Sequence, residues 1–593
     1  MTIQERLDAL RNAMQQQGLS AIIVPGTDPH ASEYIADHWK ERIWMSGFDG
    51  SAGTAALTLS EAGLWTDSRY FIQGEQQLRG TGIQLMKMGL PDTPDTIKWI
   101  CQKLNPGEKL GVNPQMFSVN TYAAMRNELA NQGIQLIDVD LINMCWTDRP
   151  ALPTSKFFVF PLDFCGKKAS EKLNDLRTEM INLQVDVTLL SALDDIAWLY
   201  NIRGNDVDYN PVVIAYSIVT KEKAIVFIDD VKLTNETRAY LASEGIELAP
   251  YETIYEALNQ LEVSKTVLVD GAKLNQKLYA SLPVGCKRKN VMSPVFKLKS
   301  IKNPTEVAGI RTAMKRDGVA LTRFFMWFEA ELPTGKLSEV SIADKLYEFR
   351  TKQDNFIGES FATIAGYAGH GAIVHYRANA ETDAMLEAKN LLLLDSGGQY
   401  LNGTTDITRT LTLGEPTRQQ KSDFTLVLKG HIALARAIFP TGTRGSQLDV
   451  LARKALWDMG LNYGHGTGHG VGHFLNVHEG PQSIRMDENP AVLQAGMIMS
   501  NEPGMYRSNE YGIRIENLIH VVPAVNTEFG QFLEFETLTL FPIDRNLIET
   551  MLLTEEEIEW IDDYHRRVFE TLAPELEPIE QEWLNSKCLA LEF

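Results

Sequence analysis

A chain of 593 residues exceeds what one hydrophobic core organises, and at about 150 residues per domain it suggests roughly three or four domains. Its 44% hydrophobic and 22% charged residues are the balance of an ordinary globular protein, with no apolar run near the roughly 20 residues of a membrane helix. A formal net charge of −21 repels nucleic acid and anionic membranes, which excludes both as expected partners.

At the N-terminus, Ile3, Leu7, Leu10 and Met14 fall at helical spacing among Glu5, Arg6, Asp8 and Arg11, which predicts an amphipathic helix and not a signal peptide. This helix opens an internal repeat. Leu7, Leu10, Arg11, Met14 and Leu19 run into the apolar Ile22-Ile23-Val24; Leu173, Leu176, Arg177, Met180 and Val185 run into Thr188-Leu189-Leu190 at the same offset. Each copy continues through a tryptophan-containing segment and a Gly-containing turn (Ser46 to Ser51, Asn201 to Asn205). Strand runs at Ala55 to Leu59 and Val212 to Val219 follow, and then an Asp (Asp67, Asp229). Two related α/β domains are predicted, 1–153 and 154–296, joined near the Pro-containing stretch Arg149 to Ser155.

Ser293-Pro294 closes the second domain, and Asn303-Pro304-Thr305-Glu306 opens a long helix with Asn303 or Thr305 as its cap. From 297 to 593 one large domain of α/β or α+β texture is expected, with helices over Pro304 to Glu331, Leu337 to Asp354 and Gln419 to Ala437. Strands are expected over Asn390 to Asp395, Thr408 to Leu413 and Ile513 to Val522. Thr554 to Leu572 reads as a surface helix, acidic at its start and with Arg near its end as the helix dipole favours. The five cysteines (Cys101, Cys145, Cys165, Cys286, Cys588) are scattered without CxxC spacing, which fits a reducing, cytoplasmic compartment better than a disulfide framework or a thiolate metal site.

Of 11 histidines, none lies between His38 and His370, while seven fall from His370 to His478. Imidazole, the most versatile acid, base and ligand near neutral pH, is thus concentrated in one part of one domain. Four segments there carry chemistry. The apolar run Leu391 to Leu394 ends on Asp395 and a Gly-Gly turn. Thr404 to Thr410 places Asp406 in a β-prone run, facing Asp395 across a hairpin turned at Asn402-Gly403. His465-Gly466-Thr467-Gly468-His469-Gly470-Val471-Gly472-His473 is too glycine-rich for an ordinary helix or strand, and His478-Glu479 follows it. Finally, Asn501-Glu502-Pro503-Gly504 precedes Gly512-Ile513-Arg514-Ile515-Glu516-Asn517, where Glu516 alternates with apolar residues in a buried strand. Singly, each has a bland reading: a turn cap for Asp395, a surface carboxylate for Glu502, a pair with Arg514 for Glu516. His370, His431, His520 and His565 read as structural or surface residues. Together, Asp395, Asp406, His469, Glu502 and Glu516 make a hard, oxygen-rich set suited to two divalent ions, manganese first, with zinc or cobalt as alternatives.

These segments, in this order, resemble the Xaa-Pro aminopeptidase (aminopeptidase P) family, which shares the pita-bread fold of methionine aminopeptidase and prolidase. The likeness runs over nearly the whole chain, with two creatinase-type N-terminal domains before a pita-bread catalytic domain, as in the three-domain cytosolic form. It implies a homodimer and substrates with proline in second position. By the resemblance Asp395 holds one metal, Asp406 and Glu516 bridge both, and His469 and Glu502 complete the other. His375 corresponds to a substrate-side histidine, His465 and His478 to two further site histidines, and Arg514 to the arginine beside the last ligand. The implied reaction is attack of a metal-bridged hydroxide on the scissile carbonyl, with Glu502 passing the proton to the proline nitrogen and His478 beside the oxyanion. His473 has no transferable role, and Glu534 and Glu536 read as surface charges of a hairpin. The alternatives are a prolidase, which shares the ligands but ordinarily lacks the middle domain, and a non-catalytic peptide-binding scaffold.

Overall fold

The structure, a computed structural model, describes residues 1–591. Its first helix, Ile3–Gln17, begins where Thr2 and Glu5 cap each other's backbone N–H and ends on Gly18 at φ 64°, and it buries Leu7, Leu10 and Met14 as the spacing predicts. The corresponding helix Ala169–Asn182 buries Leu173, Leu176 and Met180.

Behind each helix lies a six-stranded sheet of mixed direction. In the first, Ala21–Pro25 pairs antiparallel with Thr54–Thr58, which pairs antiparallel with Ala62–Thr66, whose outer neighbour Gln84–Lys87 is parallel. On its other side Ala21–Pro25 pairs parallel with Lys109–Val112, and that strand with Gln135–Asp138. The second sheet repeats the order and every direction: Val187–Leu190, Ala215–Thr220, Ala224–Ile228 and Ile246–Ala249 on one side, Thr266–Val269 and Lys287–Asn290 on the other. The repeat extends to detail. Asp67 and Asp229 each end the third strand and turn the chain by accepting the N–H two residues on, from Arg69 and Val231, both at 3.1 Å. Both sheets belong to one compact unit, 1–162 with 167–296; a second unit comprises 163–166 and 297–593.

In the second unit Asn303, not Thr305, caps the helix Pro304–Glu331, accepting from the N–H groups of Thr305 and Glu306 at 2.9 and 3.0 Å. Glu339–Arg350, Arg418–Ala435 and Gly445–Trp457 are the other long helices before the C-terminal pair. Leu391–Ser396 is the central strand of a three-stranded sheet between Ile364–Tyr367 and Ile407–Thr412. A six-stranded sheet contains Gly468–Gly470, Ile498–Asn501 and Asn517–Thr527. The core beside the site joins Phe424, Val427, Ile513 and Ile515 to Ile561, Val568 and Leu572 of the C-terminal helix.

Three local expectations are corrected. The hairpin turns at Leu401-Asn402, since Tyr400 pairs with Gly403. Gly403 serves packing, because a Cβ there would stand 2.6 Å from Ile310. The strand expected over Ile513 to Val522 is two strands, Tyr511–Arg514 and Asn517–Thr527, in different sheets. The chain crosses between them at Ile515 and Glu516, whose N–H groups go to the carbonyls of Pro503 and Thr408 at 3.3 and 3.1 Å. The helix Glu555–Leu572 starts on Glu555, Glu556 and Glu557, but its last turn holds no basic residue, because Arg566 and Arg567 fall short of it.

Candidate metal centre

The carboxylates converge where strands end or break. Asp395 is the penultimate residue of Leu391–Ser396 and lies opposite Thr408, so the register brings it beside, not across from, Asp406, which immediately precedes Ile407–Thr412. Glu516 sits in the crossing between two sheets, with Thr408 Oγ1 donating to its Oε2 at 2.8 Å. His469 is central in Gly468–Gly470, and Glu502 follows Ile498–Asn501. The ligand atoms of Asp406, His469 and Glu516 all lie within 4.8 Å of one another. His469 Nε2 is 3.5 Å from Asp406 Oδ2 and 3.4 Å from Glu502 Oε1.

The glycine run around His469 is explained by close backbone approach. A Cβ on Gly468 would stand 2.1 Å from the carbonyl oxygen of Ser500, and one on Gly470 2.6 Å from that of Glu479. Gly466, with nothing nearer than 3.6 Å, is not required on that ground.

Crowded carboxylates in a buried place resist ionisation. Burial, followed by repulsion from Asp406 and Asp395, holds Glu516 well above the usual carboxylate range. Burial lifts Asp395 to about 6 against the pull of Arg514, and burial raises Glu502 as well. For His469, burial favours the neutral ring, but Asp406 and Glu502 outweigh it and carry the imidazole up to about 9. A divalent cation fits this arrangement. His469 Nδ1 contacts the carbonyl oxygen of Gly470 at 2.9 Å and so carries the proton, aiming Nε2 at the carboxylates. Asp395 Oδ1 is buried without a hydrogen-bond partner. Two ions match four carboxylates and one imidazole; a closed structural zinc site does not.

Arg514 ties this centre to its surroundings. It donates to Asp395 Oδ2 at 2.6 Å, to Thr408 Oγ1 at 3.1 Å and to the Tyr506 hydroxyl at 2.7 Å, so its ion pair is with Asp395 and not Glu516. The Tyr506 hydroxyl lies 2.8 Å from His465 Nε2, and His465 Nδ1 donates to the Gly466 carbonyl at 2.8 Å. His478 stands edge-on to His469, ring centroids 4.4 Å apart. The adjoining Glu479 is buried on Lys302 and Lys299 at 2.6 and 3.3 Å. His375 is half-buried, and the carbonyl before it, of Val374, accepts from Arg514 at 3.3 Å. His431 and His565 are buried in the core, whereas His473 is buried near Gly309 of the long helix. Glu536 is not a plain surface charge, since it takes Arg311 at 2.6 Å and His520 at 3.0 Å.

Sequence reasoning missed Tyr506, Thr408 and the pair Asp449–Arg453. Arg453 is buried and grips the carbonyls of Tyr463 and His465 at 2.7 and 2.8 Å, while Asp449 takes the Thr467 hydroxyl at 2.6 Å. Its one signal is Asp449 four residues before Arg453 on a helix, a common surface pattern. Tyr506 faces Gly512, and a Cβ on Gly504 would meet its hydroxyl at 2.6 Å.

The profile of metallopeptidase family M24 matches residues 308–523, and that of the C-terminal region of peptidase M24 matches 531–591. Creatinase/prolidase N-terminal domain profiles match 6–145 and 148–306. Aminopeptidase P2 of Arabidopsis thaliana is 40% identical over 100% of this chain and 89% of its own length. Xaa-Pro aminopeptidase ApepP of Drosophila melanogaster is 41% identical over 94% of this chain and 92% of its own. The crystal structure of X-prolyl aminopeptidase from Caenorhabditis elegans, described as a cytosolic enzyme with a dinuclear active site, superposes over 100% of both chains with a TM-score of 0.96 and 36% identity.

Proposed function

The chain belongs to the Xaa-Pro aminopeptidase P family of M24 metallopeptidases, and on that premise we propose that it hydrolyses the N-terminal Xaa-Pro bond of peptides with the help of two divalent metal ions. The observation that carries the reading is the buried cluster in which ligand atoms of Asp406, His469 and Glu516 lie within 4.8 Å of one another and His469 Nε2 faces Glu502 at 3.4 Å, with an unpartnered oxygen on Asp395. The ions, when bound, supply Lewis acidity that activates water and polarises the scissile carbonyl.

Asp395, Asp406, His469, Glu502 and Glu516 are the residues that would hold the ions. Glu502 is the proposed proton carrier, taking a proton from the attacking water and giving it to the departing proline nitrogen. That nitrogen belongs to a tertiary amide and bears no hydrogen, so it leaves as an amine only after receiving a proton. His478, against the edge of His469, is assigned to the carbonyl oxygen as negative charge builds there. His465, held by the Tyr506 hydroxyl, and His375 orient the peptide. Arg514 holds Asp395 and Tyr506 in place and balances carboxylate charge.

Manganese is the proposed ion, because the donors are four carboxylates and one imidazole without thiolate. A cytosolic location follows the Caenorhabditis elegans relative, and a homodimer follows the family resemblance. Domain limits at 1–153, 154–296 and 297–593 are proposed from the repeated sheets and the profile ranges. The test is Asp406→Asn. Metal bound per chain should fall below two, and Xaa-Pro hydrolysis should drop on the order of 100-fold or more, with secondary structure unchanged. A near-normal rate in this variant contradicts the assignment.

A further inference from the structure

Outside the metal centre, one buried carboxylate is placed to act on the reaction from a distance. Glu339 lies in the first turn of the helix Glu339–Arg350, its side chain 0% exposed. It accepts from the Tyr367 N–H at 2.8 Å, His370 Nδ1 at 2.9 Å, the Tyr376 hydroxyl at 2.8 Å and the Ala384 N–H at 3.1 Å. Those donors bracket and punctuate 367–384, a segment whose only regular structure beyond Tyr367 is the short turn Ala368–Ala372. A chain without a ladder of its own keeps a fixed path only where outside groups hold it.

The far end of the segment is strapped to the same helix start. Glu339 N–H donates to the Ala384 carbonyl at 3.1 Å, Val340 N–H to Asp383 at 2.9 Å, and Leu386 N–H to the Leu337 carbonyl at 2.8 Å. His375 lies midway. The carbonyl before it accepts from Arg514 Nη2 at 3.3 Å, the nitrogen that also holds Asp395 at 2.6 Å. The side chain after it, Tyr376, is held by Glu339 and stacked on His370 with ring centroids 4.5 Å apart. His375 is therefore suspended between the metal centre on one side and Glu339 on the other.

We propose that Glu339 is a positioning residue for Xaa-Pro hydrolysis, acting by fixing the 367–384 segment so that His375 meets the substrate at the right place. The inference rests on the role given to His375 above. Glu339 touches neither ligand nor substrate; its effect is transmitted through the segment.

Glu339→Gln tests it, because glutamine faces the four donors with one oxygen and one NH2 and loses at least part of the grip. Hydrolysis of Arg-Pro-Pro should fall about 10–100-fold, with two metal ions per chain retained. Backbone hydrogen exchange should rise across 368–383 and stay unchanged across 465–472. In a His375→Ala background the same change should add little further loss, since the group being positioned is gone. Because a buried Glu→Gln change can loosen the fold more widely, Tyr376→Phe is the milder probe. It removes one donor and should cost roughly 3–10-fold, again with little added effect on His375→Ala. Wild-type rates in both variants overturn the inference, as does a full multiplicative loss on His375→Ala or a loss that tracks metal content. A wild-type chain inactive on Xaa-Pro peptides overturns the proposed function, whereas an active one with indifferent variants overturns this inference alone.

Discussion

Arg514 shows how much of the site depends on one side chain's shape. Its guanidinium meets Asp395, Thr408 and the Tyr506 hydroxyl in three directions, which the single point charge of lysine does not reproduce. Arg514→Lys should keep positive charge beside Asp395 yet release Tyr506 and with it His465. The expected result is a loss of about 10–100-fold in kcat/KM, and intact catalysis would contradict the link from Asp395 to His465. At this scale the proposed ligands stood out in the sequence, because each lies in a segment with its own local peculiarity: a carboxylate ending an apolar run, histidine among glycines, a charge among isoleucines. Tyr506 was not. Its importance depends on facing Gly512 in a two-stranded pairing and on the missing side chain at Gly504, neither visible before the pairing is known. Glu339 was hidden for the same reason: its partners are spread over 367–384, and a glutamate at a helix start looks like a dipole partner.

Among the elements, the strand Gly468–Gly470 has little freedom. A methyl on Gly468 would press on the Ser500 backbone at 2.1 Å, parting His469 from the strand that leads into Glu502. Gly468→Ala should weaken metal binding about tenfold or more, while Gly466→Ala, where a Cβ meets only ordinary contacts at 3.6 Å, should bind as wild type; equal behaviour of the two in metal titrations would contradict this account. Periodicity located the helices well, Pro304–Glu331 to the residue, because capping and amphipathic spacing are local. It failed at Glu516, where alternation of apolar residues continues through a point at which the chain changes sheets. Alternation records burial on each side and is blind to which sheet does the burying.

At the scale of the molecule, the duplication was the most legible feature, since an offset shared by two helix-strand units is a one-dimensional signal, and the two sheets repeat it strand for strand. The environment of the buried histidines in the second unit was not legible, and it carries a consequence for stability. Burial, with help from Arg409, pulls His431 and His565 down to about 3; Arg545 adds to the effect on His565. The Ile543 N–H donates to His565 Nε2 at 3.1 Å, which the charged ring would forbid. Below about 6.5 the unfolded chain binds a proton that the folded chain refuses until near 3, so stability present above that pH is lost as pH falls. His565→Gln removes one such group. Between pH 7 and 5 the urea stability of the wild type should fall relative to this variant by about 2 kcal/mol, and a pH-independent difference would mean the histidine is not held neutral.

The central claim is that the buried carboxylate–imidazole cluster makes this chain an aminopeptidase acting before proline. The most direct measurement compares hydrolysis of Arg-Pro-Pro and Gly-Pro, each with manganese and with a chelator. The account predicts metal-dependent release of arginine from the tripeptide with little action on the dipeptide. Preference for Gly-Pro would contradict it in favour of a dipeptidase, and silence on both after metal loading would contradict catalysis altogether.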